Sequence, residues 1–134
     1  MADFTITIST GTLASPSDSA VRFPHRWTTK GVTVDAPFTG GHLLLLAPAA
    51  CVLNDTYREA DRLGITVDGV RVIASGGLDE STWHSTGITY SVLVDSPAPI
   101  ATVNDLVALV DAVAEIPKAL RAGTTVERVA PPPP

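Results

Sequence analysis

The stretch FTGGHLLLLAPAACVLNDTYREADRL, residues 38–63, decides how the chain folds. Its first half contains an uncharged apolar run of eleven residues, 43–53, and its second half returns to polar residues at helical spacing. Gly64 follows as a helix stop signal. The pattern predicts a helix that begins buried and ends in solvent. Because a bilayer span needs roughly 20 apolar residues, we expect this helix in a core or a subunit interface and not in a membrane.

The apolar run carries the only cysteine of the chain, Cys51. Pro48 has no N–H group and is tolerated best in the first turn of a helix, so we expect the helix that bears Cys51 to begin near Ala47, after a separate short turn or helix over residues 42–46. A thiol about one turn inside a helix is close to the positive end of the peptide dipoles, which stabilises a thiolate. Apolar neighbours destabilise the thiolate and so oppose the effect of the dipoles. The alternative interpretation is that Cys51 is a small buried residue without reactivity.

Composition indicates a globular protein and narrows its partners. The length of 134 residues suits one domain, assigned to residues 1–130, and residues 131–134, PPPP, predict an extended disordered tail. A net charge of -5 argues against nucleic acid or an anionic membrane as partner and favours small molecules or proteins. The single cysteine excludes an internal disulfide, and no N-terminal stretch has the pattern of a signal peptide, so we expect a cytoplasmic protein.

Strand patterns precede the central helix. The stretches FTITIS at 4–9 and GVTVD at 31–35 have the composition of strands with a buried face, and residues 20–27 are also extended. Within the latter, Pro24 confines the strand to an edge or a bulge. Short turns separate the three strands, which predicts an antiparallel meander.

Two strands, a helix and a last strand follow the central helix. Residues 65–74 and 86–95 alternate β-branched residues and predict two long antiparallel strands, connected through Gly76 and Gly77. A second helix is predicted to begin at Thr102 and to end or bend at Pro117. We expect Thr102 and Asp105 to cap it and Leu106, Leu109, Val110, Val113 and Ile116 to form its packed face. Residues 124–129 predict the final strand, so two main helices accompany the predicted strands.

Polar residues near Cys51 in the sequence are candidates for a site. His42, nine residues earlier, is a candidate base or hydrogen-bond donor, although a ring satisfied by a backbone carbonyl explains it as well. Asp55, four residues later, lies on the same helical face. An ionised Asp55 close to the sulfur would oppose thiolate formation. We therefore expect it to be either a surface charge or a partner for an arginine, and we keep it as a candidate for contact with substrate.

More distant candidates come from the loops and early strands. Trp83 and His84 lie at or before the start of the fifth predicted strand, where they would line a substrate pocket or pack on a strand edge. Arg22 and Arg26 belong to the early strands. Their non-functional interpretation is that they lie on the solvent-exposed face of the predicted meander.

Three segments resemble the OsmC/Ohr family: HLLLLAPAAC at 42–51, VDGVRV at 67–72 and EIPKALRAG at 115–123. The resemblance extends from about Thr29 to Val129. It implies an OsmC-like α+β fold made by an intertwined homodimer, with the two cysteine-bearing helices at the centre and the active sites at the subunit interface.

The activity implied by the resemblance is reduction of organic hydroperoxides through a thiol. Cys51 matches the cysteine that attacks the peroxide and becomes a sulfenic acid. In the family a second, resolving cysteine captures this sulfenic acid as a disulfide, which an external thiol then reduces. No cofactor is needed. The family's catalytic arginine comes from the early strands, so Arg22 or Arg26 is the candidate, and His42 is kept as a further catalytic candidate.

The sequence departs from the family pattern at two positions. The family's second cysteine directly precedes a proline, and here Ile116 occupies that place before Pro117. The glutamate that holds the catalytic arginine in the family is matched by Gly41. Both the resolving thiol and the usual activation of the thiolate are therefore missing or replaced.

Two alternatives to a peroxidase remain. The interface pocket would perform other chemistry on a hydrophobic small molecule, with His42, Cys51, His84 and an early arginine as acid, base or orienting groups. Alternatively, the protein binds an apolar ligand without turnover. A zinc site of Cys51, His42 and His84 fits no compact ligand motif, so no metal is expected.

Overall fold

The computed structural model of the protein describes residues 2–134. Along the chain, the elements are β1 (Ala2–Gly11), β2 (Val21–Phe23), β3 (Val32–Asp35), α1 (Gly40–Leu63), β4 (Gly69–Leu78), β5 (Ser85–Asp95), α2 (Ile100–Val113), α3 (Glu115–Leu120) and β6 (Val126–Arg128). The predicted α+β class is confirmed.

The strands form one six-stranded sheet in the order β2-β3-β1-β4-β5-β6. All pairs are antiparallel except β5 with β6. The predicted meander is wrong, because β3 lies between β1 and β2. The reason is burial: Val32, Thr33 and Val34 are buried, whereas all three residues of β2 are exposed and Pro24 follows them. As predicted, the strand before Pro24 is an edge strand.

One face of the sheet forms the core with α1. Register places alternate residues of β1, β4 and β5 side by side, as in the row of Ile8, Val72 and Val92. On the helix, Leu45, Ala49, Val52, Leu53 and Ala60 are buried in the same cluster. Burying an aliphatic side chain of this size stabilises the fold by roughly 1.5–3 kcal/mol. This shared core fixes the position and rotation of α1.

Helix α1 is one continuous helix of 24 residues, so the predicted start near Ala47 is wrong. Thr39 caps it, since its hydroxyl accepts a 3.1 Å hydrogen bond from the backbone N–H of His42. Pro48 lies inside the helix at a cost of about 3 kcal/mol. The cap and the buried stripe on both sides of Pro48 offset that cost. The predicted stop is correct, because Gly64 is left-handed with φ 71°.

Three smaller expectations are also wrong. Helix α2 begins at Ile100 after Pro99, without a side-chain cap, so Thr102 and Asp105 do not form the predicted capping pair. The helix ends where Ala114 is extended, with ψ 126°, and Pro117 lies within α3. The following residues 115–120, expected as packed helix and connection, form that short helix, in which Ile116 is exposed.

Two segments outside the predicted strand bounds complete the fold. Gly76 and Gly77 belong to β4, where the register with β5 shifts, and do not form the connection. Residues 131–134 have no regular secondary structure, and they border a small cavity with Arg71 and Leu93. The disorder of residues 131–134 and the domain boundary stay predictions.

Within residues 2–134 the helices are all too short or too polar to cross a bilayer.

Candidate functional site

Cys51 lies in the middle of α1, at the point where α3 approaches the helix. It is eleven residues past Gly40, the first residue of α1, which is about three turns. The helix dipole acts mainly within the first turn, so the expected stabilisation of a thiolate by the α1 N-terminus is wrong. The thiol is half-buried and does not belong to the closed core.

Two carboxylates flank the Cys51 sulfur. The sulfur lies 3.6 Å from Glu115 Oε2 of α3 and 3.9 Å from Asp55 Oδ2, one turn along α1, so its single hydrogen can be donated to either carboxylate. Arg58 connects the two acids, with Nη1 3.1 Å from Asp55 Oδ1 and 3.9 Å from Glu115 Oε1. The four side chains therefore form one cluster, the thiol–acid cluster, at the α1–α3 contact.

The surroundings of Cys51 favour its protonated form. Burial raises the pKa of the Cys51 thiol above its ordinary value, and the charges of Asp55 and Glu115 raise it further. The backbone N–H groups of Ile116 and Glu115 act in the opposite direction and lower this pKa. The resting state is a thiol with a hydrogen-bond acceptor beside it, which differs from a pre-formed thiolate.

Asp55 is buried, so of its two expected roles the surface charge is wrong. Burial raises the pKa of its carboxyl group, Arg58 lowers it, and Glu115 raises it again. The expected arginine partner is present in Arg58. Asp55 is thus the one predicted companion of Cys51 that the structure brings into contact with the sulfur.

The thiol–acid cluster also has the donor types of a metal site. One ligand atom each from Cys51, Asp55 and Glu115 lies within 4.8 Å of the other two. A thiolate with two carboxylates suits zinc. However, the guanidinium of Arg58 already pairs with both carboxylates, and a divalent cation would have to displace it. The arrangement therefore fits a pair of acids bridged by an arginine better than a metal centre.

The other predicted catalytic residues lie apart from Cys51. His42 is nine residues earlier on α1, about 13 Å along the helix axis, and its Nδ1 is 2.6 Å from the Thr39 hydroxyl. Arg22 donates to the carbonyl of Lys30. Arg26 stacks over the ring of Trp27, 5.5 Å from its centroid. Their roles in catalysis stay predictions, without support from a contact with the sulfur within residues 2–134.

Trp83 and His84 occupy the turn between β4 and β5. Both are exposed, and Trp83 has the left-handed φ of 60°. This turn is at the end of the sheet where Leu45 packs near Gly76, and Cys51 is about 9 Å farther along the helix axis. Substrate binding by this pair stays a prediction.

Two residues of the thiol–acid cluster are absent from the sequence predictions. Arg58 follows Cys51 by seven residues and Asp55 by three, and this helical spacing was the available signal. Glu115 stands next to Ile116, the position matched to the family's second cysteine.

The position matched to the family's glutamate has little space for a side chain. A Cβ atom on Gly41 would overlap the ring of Phe4, which packs over this glycine. A glutamate at residue 41 would therefore require Phe4 to move. In this protein, acidic residues reach Cys51 from α3 and from the next turn of α1 instead.

The fold and the site define a class: an α+β protein in which a long helix on one face of a sheet presents a single thiol beside a short second helix. The family described as OsmC-like protein matches residues 34–128. The chain belongs to this family.

Solved structures agree with the family assignment at the level of the fold. An OsmC-like protein from Mycoplasma pneumoniae has 14% sequence identity and a TM-score of 0.63, with 94% of each chain covered. The organic hydroperoxide resistance protein OhrB of Bacillus subtilis has 20% identity and a TM-score of 0.56, with 72% of this chain and 73% of that chain covered. Among curated proteins, none matches the sequence significantly.

Proposed function

We propose that the protein reduces organic hydroperoxides through Cys51, with Glu115 as general base. The observation that carries this proposal is the 3.6 Å contact between the Cys51 sulfur and Glu115 Oε2, together with Arg58 across the same carboxylate. The solved relative from Bacillus subtilis is named an organic hydroperoxide resistance protein, which supports the substrate class. Cys51, Glu115 and Arg58 together supply a nucleophile, a base and a cation.

The reaction begins from the protonated thiol. As the Cys51 sulfur attacks the terminal oxygen of ROOH, its proton passes to Glu115 and the O–O bond breaks. Glu115 then returns the proton to the departing alkoxide, so thiol and hydroperoxide give Cys–SOH and the alcohol ROH. The guanidinium of Arg58 and the backbone N–H groups of Ile116 and Glu115 offset the negative charge that develops on sulfur and oxygen.

An external thiol completes the cycle, because the chain has a single cysteine. One reductant molecule R′SH condenses with Cys–SOH and releases water, and a second one frees Cys51 and leaves as R′SSR′. This requirement agrees with the thiol-rich cytoplasm that we propose as the location of the protein.

Peroxide titration tests the proposal. Cumene hydroperoxide should oxidise Cys51, with the sulfenic acid trapped by dimedone and located by mass spectrometry, and dithiothreitol should sustain turnover. Cys51→Ser should abolish turnover. Glu115→Gln should reduce the oxidation rate about 100-fold and flatten its pH profile, since general bases typically contribute at least this factor. Oxidation of Cys51 no faster than that of free cysteine would exclude the proposal.

We further propose that the active form is a homodimer that covers the thiol. Leu44, two turns before Cys51 on the same side of α1, is 41% exposed, and Ile116 beside the sulfur is 40% exposed. Exposed apolar residues around a half-buried thiol suit either a partner subunit or the alkyl group of a substrate. A second subunit would exclude water from the site.

Sedimentation of the wild type and of Leu44→Glu tests the dimer. The wild type should sediment at twice the chain mass, and Leu44→Glu should dissociate and oxidise more slowly. The matched control is Leu63→Glu, which changes an exposed leucine at the far end of α1. A monomeric wild type would refute the dimer and leave the peroxide chemistry untouched.

A further inference from the structure

A second candidate site is a hollow on the face of the sheet that α1 does not cover. On β1, β4, β5 and β6, the residues Ile6, Ala74, Ile88 and Val126 are buried in the core shared with α1. Because side chains alternate along a strand, the residues next to them lie on the opposite face. The hollow on that face has a volume of about 400 Å³, within the range of roughly 300–1,000 Å³ that small-molecule pockets occupy.

Two glycines on neighbouring strands give this outer hollow its depth. Gly77 of β4 and Gly87 of β5 line it and have no side chain to fill it. Both lie at the register shift between Gly76 and Leu78, where the pairing of the two strands is irregular. Glycine inside a strand often marks a place where another molecule approaches the backbone closely. Gly87 cannot carry a side chain without strain, since its φ is 113° and an added Cβ would lie 2.7 Å from the Thr125 hydroxyl.

Hydroxyl groups form one side of the outer hollow. The register places Thr5, Ser75 and Thr89 side by side on three adjacent strands. The hydroxyl oxygens of Thr5 and Ser75 are 3.0 Å apart. A hydroxyl keeps acceptor lone pairs after it has donated a hydrogen bond. The row therefore offers acceptors to a ligand that carries N–H groups.

A carboxylate stands at each end of the outer hollow. Glu127 of β6 continues the hydroxyl row beyond Thr89, and Asp3 of β1 lies opposite Gly77 in the next row. Their backbones are about 14 Å apart across the sheet and about 7 Å apart along it. The lining residues include no lysine, arginine or histidine, and within residues 2–134 neither carboxylate forms an ion pair. Two negative charges are therefore open to a cationic ligand.

We propose that the outer hollow binds a linear polyamine that crosses the strands from Asp3 to Glu127. The terminal ammonium groups donate charge-assisted hydrogen bonds to the two carboxylates. The inner amines donate to the hydroxyls of Ser75 and Thr89. An anionic ligand would face two carboxylates without a cation. Because the hollow and α1 lie on opposite faces of the sheet, the site is independent of the reaction proposed at Cys51.

The length of the ligand follows from the geometry of the sheet. An extended chain advances about 1.2 Å per bond, as the polypeptide backbone does. Spermine therefore spans about 16 Å and can reach both acids, whereas putrescine spans about 6 Å and reaches only one. A polyamine with the length of spermine is the expected ligand.

Calorimetric titration with spermine tests the proposal. The wild type should bind spermine saturably, and added salt should weaken binding because the contacts are between exposed charges. Asp3→Asn and Glu127→Gln should each weaken binding about three-fold, as expected for one exposed ion pair. The double variant should bind about ten-fold more weakly. Its matched control is Asp18→Asn/Asp105→Asn, which removes two exposed charges elsewhere and should bind like the wild type.

Two diamines of equal charge test the span. Diaminododecane, about 16 Å long, should bind several-fold more tightly than putrescine, because only the longer molecule engages both acids. In Asp3→Asn this difference should disappear. In amide NMR spectra, the signals of Gly77 and Gly87 should shift with spermine. Cys51→Ser should bind spermine normally, which separates this site from a failed peroxidase.

Three results would overturn the proposal. The first is the absence of saturable binding of spermine. The second is an equal loss of affinity in the double variant and in its matched control, which would assign the attraction to the net charge of -5. The third is equal binding of the two diamines, or amide shifts confined to residues away from Gly77 and Gly87, which would show that Asp3 and Glu127 do not act together in the hollow.

Discussion

Removing the guanidinium of Arg58 should leave a buried carboxylate without its partner. In Arg58→Met, Asp55 loses the 3.1 Å ion pair with the guanidinium. The Asp55 side chain is only 6% exposed, so water cannot fully replace this partner. Breaking a fully buried pair costs about 3–5 kcal/mol. Since the Arg58 side chain is 45% exposed, solvent can replace part of the interaction, and we expect a loss of about 2 kcal/mol in the free energy of unfolding at pH 7.5.

The loss of stability in Arg58→Met should be larger at neutral pH than at acidic pH. Arg58 lowers the pKa of Asp55, so its removal raises the folded-state pKa further above the unfolded value of about 3.9. Between those two pKa values the folded state binds the extra proton, and the stability of the variant falls as pH rises. Below about pH 4 both states are protonated, and most of the loss should disappear.

Urea unfolding at pH 7.5 and pH 4 measures both effects, with Lys118→Met, an exposed residue of α3, as the control for charge. The double variant Arg58→Met/Asp55→Asn should recover most of the stability, because no buried charge remains. Equal losses at the two pH values, or no recovery in the double variant, would show that Arg58 does not hold the charge of Asp55.

Three further predictions concern the thiol and the fold. Asp55→Asn removes a charge that raises the pKa of Cys51, so the pH profile of iodoacetamide alkylation should move to lower pH; an unchanged profile would contradict the contact. Gly64→Ala should cost about 1 kcal/mol in urea unfolding through its left-handed backbone alone, since no atom lies within 4 Å of the added Cβ. Tyr90→Phe should cost about 1–2 kcal/mol by removing the hydroxyl that donates to Asp111. Because burial and Asp111 raise the pKa of Tyr90, the wild type should lose stability above about pH 10, and the variant should lose less.

Local patterns predicted the elements of the fold better than their arrangement. Strand alternation and the Gly64 stop depend on neighbouring residues. The stop and each predicted strand are present, but β4 begins at Gly69 instead of residue 65 and β2 is only three residues long. The position of β3 beside β1 depends on which strand buries more surface, and that competition is not local. The same holds for Pro48, whose local preference for a helix start is overridden by the core contacts of Leu45 and Ala49.

At the candidate site around Cys51, local spacing was likewise predictable from the sequence, whereas contacts between separate elements were not. Sequence spacing placed Asp55 on the face of Cys51, because four residues separate them on one helix. Glu115 is 64 residues away, and only the packing of α3 on α1 brings its carboxylate to the sulfur. Contacts between elements therefore account for the groups that the sequence did not reveal.

The position of Cys51 within α1 changes which activation the thiol can receive. A helix that began near Ala47 would have stabilised a thiolate at rest, whereas three preceding turns remove that effect and burial beside two acids favours the protonated thiol. A nucleophile of this kind needs a base that acts during attack. In the proposed reaction Glu115 meets this need, because it contacts the sulfur, takes its proton and returns that proton to the departing alkoxide in the same turnover.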